Sequence, residues 1–281
     1  MSVHTGAGRI VTLRMRPLAL AERFPGTATV SVAALLEGDR RGVHGRSPLR
    51  AVDYAKEVVA SGFPAIRATT GRVRRALLAW LRAYAAATAT SASYQSLLDA
   101  ATPGERDRPA RSTVVEQRAV LERLWVVDPQ PAWLPTRNTL SRLGQAPKHH
   151  LADPALAARL LGLGGDALLG PAGGLFGPLF EALVTMSLRT YAQAAEARVL
   201  HLRTQNGDHE VDVILERGDG RVLAVEVTLA PTVRDHDVTH LAWLRGRLGD
   251  DLLDAVVVTT GEEAYRRSDG VAVVPAALLG P

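Results

Sequence analysis

The chain reads as an α/β protein on three observations. After Pro178 the apolar pattern passes in order from a long helical run to three strand-like runs, a helix and a further strand. Two turn sequences, Gln205-Asn206-Gly207-Asp208 and Gly218-Asp219-Gly220, separate the strand-like runs with residues that tolerate positive φ. Before Pro178 the legible signals are mainly helix starts and stops. The expectation is a helical, winged-helix-like region over 46–152, then an α-β-β-β-α-β domain over 153–281.

Taken in order, Gly6 to Leu20 alternates basic and apolar residues through Arg9-Ile10-Val11-Thr12-Leu13-Arg14-Met15-Arg16, the period of a half-buried strand, and Pro17 ends it. Gly38 to Pro48 is loop-like. Helices are expected over Val52 to Ala60 and Val73 to Ala87, the latter carrying Leu77, Leu78, Leu81 and Tyr84 at helical spacing. Thr102 to Arg111 reads as an exposed connection. Thr113-Val114-Val115-Glu116 is a capping-box pattern, because the hydroxyl and carboxylate can satisfy the orphan amides of a helix start. That helix should reach about Val126 and bury Val114, Leu121, Leu124 and Trp125. As the recognition helix of a winged helix it would bring Arg118 and Arg123 to phosphates, with Lys148 a further nucleic-acid contact; the other reading is a helical packing module. Asp153-Pro154 is a cap followed by a first-turn proline, Gly162 a stop, and Gly162 to Gly177 a linker.

Beyond it the spacing predicts a helix over Leu179–Ala197, strands over Arg198–Arg203, Glu210–Glu216 and Val222–Leu229, a helix near Asp237–Leu248, and a strand over Ala255–Thr259. Strand alternation places Val222, Ala224, Glu226 and Thr228 on one face, so Glu226 is an acid among small apolar neighbours. The same rule puts Glu210, Asp212 and Ile214 on one face of the preceding strand, and a suitable register brings Asp212 to Glu226. Glu181 is a third acid in an otherwise apolar helix. Converging carboxylates suit a hard cation such as Mg2+, which activates water and neutralises phosphodiester charge. The alternative is a solvated hairpin face with Glu226 paired to an arginine. His236-Asp237-Val238-Thr239-His240 mimics the H-E-x-x-H zinc pattern but shows no third ligand, so solvated residues on a first helical turn are the plainer reading.

Composition narrows the chemistry. Without cysteine, disulfides and thiolate metal sites are excluded. No segment approaches the roughly 18 apolar residues of a membrane span, and no apolar leader follows a basic start, so a cytoplasmic protein without membrane partners is expected. The net charge of +4 fits a phosphate-rich partner such as DNA or RNA. Only two of the 33 basic residues are lysine, Lys56 and Lys148. No G-x-x-x-x-G-K-[ST] occurs, so no ATP site is expected.

Helix Glu181, then Glu210-Val211-Asp212 and Glu226-Val227-Thr228 in this element order, resembles the restriction-endonuclease-like, or PD-(D/E)xK, domain. Further stretches resemble AAA-type ATP-binding proteins ending in a domain of unknown function: His4-Thr5-Gly6-Ala7-Gly8-Arg9-Ile10, Ser61-Gly62-Phe63-Pro64, Pro131-Ala132-Trp133, Ala146-Pro147-Lys148-His149-His150-Leu151-Ala152-Asp153-Pro154 and Thr260-Gly261-Glu262. The resemblance implies a catalytic set of Asp212, Glu226 and the residue at 228, with Mg2+ on Glu181, Asp212 and Glu226. It further implies that 1–45 is the remnant of an ATPase module, the chain a truncated family member, and the missing module an upstream frame or separate subunit. Two departures bear on activity: the Walker A module is missing, and Thr228 stands where the motif has lysine. A hydroxyl supplies no fixed positive charge for a pentavalent phosphate. Because Pro178 to Pro281 contains no lysine, none is expected to reach the carboxylates, leaving Arg203 or Arg234 as local cations and cleavage impaired.

Overall fold

The computed structural model describes residues 16–60, 83–93, 96–97, 125–134, 146–170, 172–204 and 206–281. The expected strand before Arg16, most of the helix over Val73–Ala87, the Thr102–Arg111 connection and nearly all of the Thr113–Val126 helix, with Arg118 and Arg123, lie outside them. Residues 83–86 are helical. Trp125 stands in a turn at φ 59 and is half-exposed, so it does not continue the expected helix or bury as predicted.

The centre is a seven-stranded mixed sheet. In chain order its strands are β2 (Gly45–Arg46), β3 (Arg198–Arg203), β4 (Glu210–Glu216), β5 (Val222–Val227), β6 (Leu252–Thr259), β7 (Glu263–Arg266) and β8 (Ala272–Pro275), and across the sheet β2-β7-β8-β6-β5-β4-β3. β3, β4 and β5 form an antiparallel meander, while β5, β6 and β8 run parallel. Gly207 and Gly220 close the two meander turns at φ 77 and 84, as their sequences predict. A separate parallel pair joins β1 (Val30–Ser31) to β9 (Leu279–Gly280).

Helices cover both faces. On one lie α2 (Val32–Leu36), α3 (Ala51–Ala60), α4 (Pro154–Leu160), α5 (Gly165–Leu169) and the long α6 (Gly173–Ala194), packed with Val213, Leu215, Leu223, Val225 and Val256. The short α1 (Leu20–Arg23) joins the same layer. On the other, α7 (Thr239–Leu248) sets Leu241, Leu244 and Leu248 against Ile214, Ala224 and Val257. A strand covered on both sides has no wet face, and β6 is accordingly buried along its whole length. Its acid, Asp254, is satisfied by a two-pronged bond to Arg266 at 2.8 and 2.9 Å.

Asp153 caps α4 by accepting from Ala155 N at 2.9 Å, Pro154 opens the helix, and Gly162 follows its end at φ 72, as the sequence predicts. The expected linker over Gly162–Gly177 is instead α5 and the first turn of α6. Glycine and proline disfavour helix, but Phe176, Leu179, Phe180 and Leu183 are all buried here. At about 1.5–3 kcal/mol per buried apolar side chain, that packing outweighs about 1 kcal/mol per glycine. Among the described residues no helix is long and apolar enough to cross a membrane.

Candidate functional site

The site begins with an irregularity in β4. Leu200 pairs with Ile214 but Leu202 pairs with Val211, so Asp212 and Val213 together oppose the single residue His201. Such a bulge turns both side chains toward one face. Val211 and Ile214 therefore lie in the α7-side core, whereas Val213 lies on the α6 side and Asp212 turns toward Glu181 of α6. The simple alternation that grouped Asp212 with Ile214 is corrected by this extra residue. Asp212 Oδ2 accepts from Val227 N at 3.0 Å, taking a backbone donor just beyond the last β4–β5 pair, Val213 with Val225.

Into this face comes a lysine from far upstream. Lys148 Nζ lies 3.0 Å from Glu181 Oε1, 2.9 Å from Glu210 Oε1 and 2.9 Å from Asp212 Oδ1, with only 1% of its side chain exposed. The expectation that no lysine reaches the carboxylates is overturned. It failed because it counted only residues after Pro178, whereas Lys148 sits on an extended segment docked beside the meander. Lys148, expected as a nucleic-acid contact, is here the buried counter-ion of three acids. Its backbone pairs with Gln130 through N–H···O bonds of 2.9 and 3.0 Å. The Gln130 side chain, fully buried, donates to Leu200 O at 2.7 Å and Asp212 O at 2.9 Å, and its Oε1 faces His150 Nε2 at 3.1 Å. One amide thus ties the lysine segment to the bulge.

Glu226, at the end of β5, lies within hydrogen-bonding reach of the Asp212 carboxyl. Glu226 Oε1 is buried and meets no N–H or O–H donor. Two carboxyls that close must share a proton or a cation. Burial, followed by the charge of Asp212, pushes Glu226 well above the ordinary carboxylate range. Burial and Asp212 likewise raise Glu181, to about 8, against the opposing pull of Lys148. Burial would raise Asp212 too, but the Lys148 charge and hydrogen bond, helped by Val227 N–H, outweigh it and hold that carboxyl below its usual range. Lys148 is opposed by burial and held well above the usual lysine value by Asp212, Glu181 and Glu210. The pocket therefore favours an ionised Asp212–Lys148 pair and pushes Glu181 and Glu226 toward their protonated forms.

Residues 176–279 match a domain of unknown function, DUF4143. A second domain of unknown function, DUF8612, matches residues 50–167. No curated protein and no solved structure matches the chain. Glu181, Glu210, Asp212 and Glu226 fall inside the DUF4143 region, and Lys148 inside the other.

Among the described residues no three His, Asp or Glu side chains form a ready-made metal cage. Lys148 stands between Glu181, Glu210 and Asp212, leaving Asp212 with Glu226 as the pair whose shared proton a hard cation could replace; this donor set fits Mg2+. Thr228 is taken up locally, its hydroxyl accepting from Ala230 N at 3.1 Å. Of the expected cations, Arg203 touches the rim at 3.6 Å from Glu210, while the Arg234 backbone N–H donates to Asp237 at the turn before α7. Sequence reasoning placed Glu210 beside Asp212 without a role in the site, missed Gln130, and assigned Lys148 to nucleic acid rather than to the acids. The available signals were the scarcity of lysine and the two-residue spacing of Glu210 from Asp212.

Proposed function

We propose that this cluster is a metal-assisted phosphodiester-cleaving site acting on nucleic acid, in which Lys148 supplies the positive charge that Thr228 does not. The observation that carries the reading is the lysine ammonium within 3.0 Å of Glu181, Glu210 and Asp212. Asp212 and Glu226 would hold Mg2+, which when bound neutralises phosphate charge and lowers the pKa of water. Lys148 keeps Asp212 ionised and ready as a ligand. Glu226 holds the proton that a cation displaces. Gln130 fixes the Asp212 backbone and so the direction in which the carboxylate points.

The test is incubation of the full chain with single-stranded DNA, duplex DNA and RNA in Mg2+ or Mn2+. Cleavage that vanishes with EDTA and in Glu226→Gln, Asp212→Asn and Lys148→Met is expected. Absence of cleavage in every substrate and metal, or cleavage that survives Glu226→Gln, overturns the reading. A second reading, nucleic-acid binding without cleavage, draws on the full burial of Lys148 and the local bonding of Thr228. Salt-dependent retention of DNA or RNA without products is its signature. The resemblance to AAA-type proteins also supports an ATPase partner, tested by sequencing the DNA just upstream of the Met1 codon.

A further inference from the structure

On the opposite face of the sheet from α6, two histidines distant in sequence meet nitrogen to nitrogen. His209 closes the β3–β4 turn, its backbone fixed by Thr204 N donating to His209 O at 2.8 Å and His209 N donating to Thr204 Oγ1 at 3.0 Å. His240 lies in the first turn of α7. Their Nδ1 atoms are 3.3 Å apart, with ring centroids 5.5 Å apart and planes at 83°. The His209 ring stacks on Trp243 at 4.1 Å and 13°, which fixes its plane.

We propose that His209 and His240 form a bis-imidazole site for a borderline divalent cation of the zinc and copper class. Zinc–imidazole bonds are about 2.0–2.1 Å, so two nitrogens at a tetrahedral angle on one ion are separated by about 3.3–3.4 Å. The observed separation equals that bite and exceeds the roughly 2.9–3.0 Å at which N–H hydrogen bonds cluster. Metal-free, the two facing lone pairs need a proton between them; an ion takes both, leaving the proton of each neutral ring on Nε2. Neutral imidazole selects Zn2+, Cu2+, Co2+ or Ni2+ over Mg2+, so this site and the carboxylate cluster favour different metals. Both rings are half-buried, leaving the remaining coordination positions to water or an incoming ligand.

The H-x-x-x-H spacing that drew attention to His236 pairs the wrong residue. Asp235–Val238 is a 3-10 turn rather than part of α7, so positions 236 and 240 do not share a helical face. His236 is largely exposed, with Nε2 3.2 Å from Asp237 Oδ1.

The proposal is independent of the cleavage reading and is tested on the full chain with Cu2+ in excess Mg2+. Bound Cu2+ should quench Trp243 fluorescence and give a two-nitrogen pattern in electron paramagnetic resonance, displaced by Zn2+. His209→Asn and His240→Asn should each weaken Cu2+ binding at least tenfold, whereas His236→Asn leaves it unchanged. Trp243→Phe should abolish most of the quench while preserving the nitrogen pattern. A copper spectrum and affinity unaltered by both His209→Asn and His240→Asn overturns the site.

Discussion

Replacing Lys148 with methionine keeps the apolar stem and removes the charge that Glu181, Glu210 and Asp212 share. The pair with ionised Asp212, at 2.9 Å, has a gross Coulomb energy of about 6 kcal/mol at an effective dielectric of about 20. Most of this offsets desolvation, and removing one partner of a buried pair costs roughly 3–5 kcal/mol net. At roughly 2–4 °C per kcal/mol for a chain of this size, the melting temperature should fall by on the order of 10 °C at pH 8. The loss should depend on pH with a definite sign. Without Lys148, Glu181 and Glu226 rise further above their unfolded values, and Asp212 loses the charge that holds it below its own. Stability from a raised carboxyl is fully present below about 4.5 and is lost as pH rises through the folded pKa. Glu181 already titrates near 8 with the lysine in place, so Lys148→Met should approach the parent near pH 5 and diverge through pH 8. Thermal melts in metal-free buffer at pH 5, 6.5 and 8 measure this. A variant melting within about 2 °C of the parent at pH 8, or more destabilised at pH 5 than at pH 8, would refute the assigned ion cluster.

Glu181→Gln retains an acceptor for Lys148 but removes a carboxyl that loses stability as pH climbs from about 4.5 to about 8; chemical denaturation should show a flatter alkaline limb and a more stable variant at pH 8. His201 shows the reverse slope, because burial, with the charge of Lys148, lowers it to about 4 and its Nδ1 is buried without a partner. Its neutral form favours the fold, so stability should fall by roughly 3 kcal/mol as pH drops from 6.5 through about 4, and His201→Asn should remove that part of the acid loss in a pH-resolved denaturation series. Gly261→Ala would place a methyl 2.5 Å from Pro231 O, against backbone with little room to yield; a destabilisation of about 1–3 kcal/mol is expected from urea unfolding.

How far the sequence could be read depended on whether the signal was local. β3 and β4 match their expected limits because the apolar alternation and a glycine turn are written within a few residues, and the Asp153-Pro154 start of α4 is equally local. The start of α6 was misplaced because residues 173–178 form helix through long-range packing. β7, β8 and β9 went unread because their short runs follow β6 without a strong change of period. The pairing of Asp212 with Glu226 followed from hairpin logic, but the facing of Asp212 hinged on a bulge that side-chain pattern does not encode. Lys148 was conspicuous as a rare residue, yet nothing local to it indicates a destination across 33 residues at Glu181 or 64 at Asp212.

The two matched domains also divide the electrostatics of the pocket: the acids belong to one and their neutralising cation to the other. Neither segment is therefore a self-sufficient cutting point for expression. A fragment starting near residue 176 would carry an uncompensated anionic hollow, while its upstream counterpart would expose a solitary ammonium meant for the interior. Co-expressed as separate pieces, the halves have a strong incentive to reassociate, and their affinity should weaken sharply when the donor at 148 is erased.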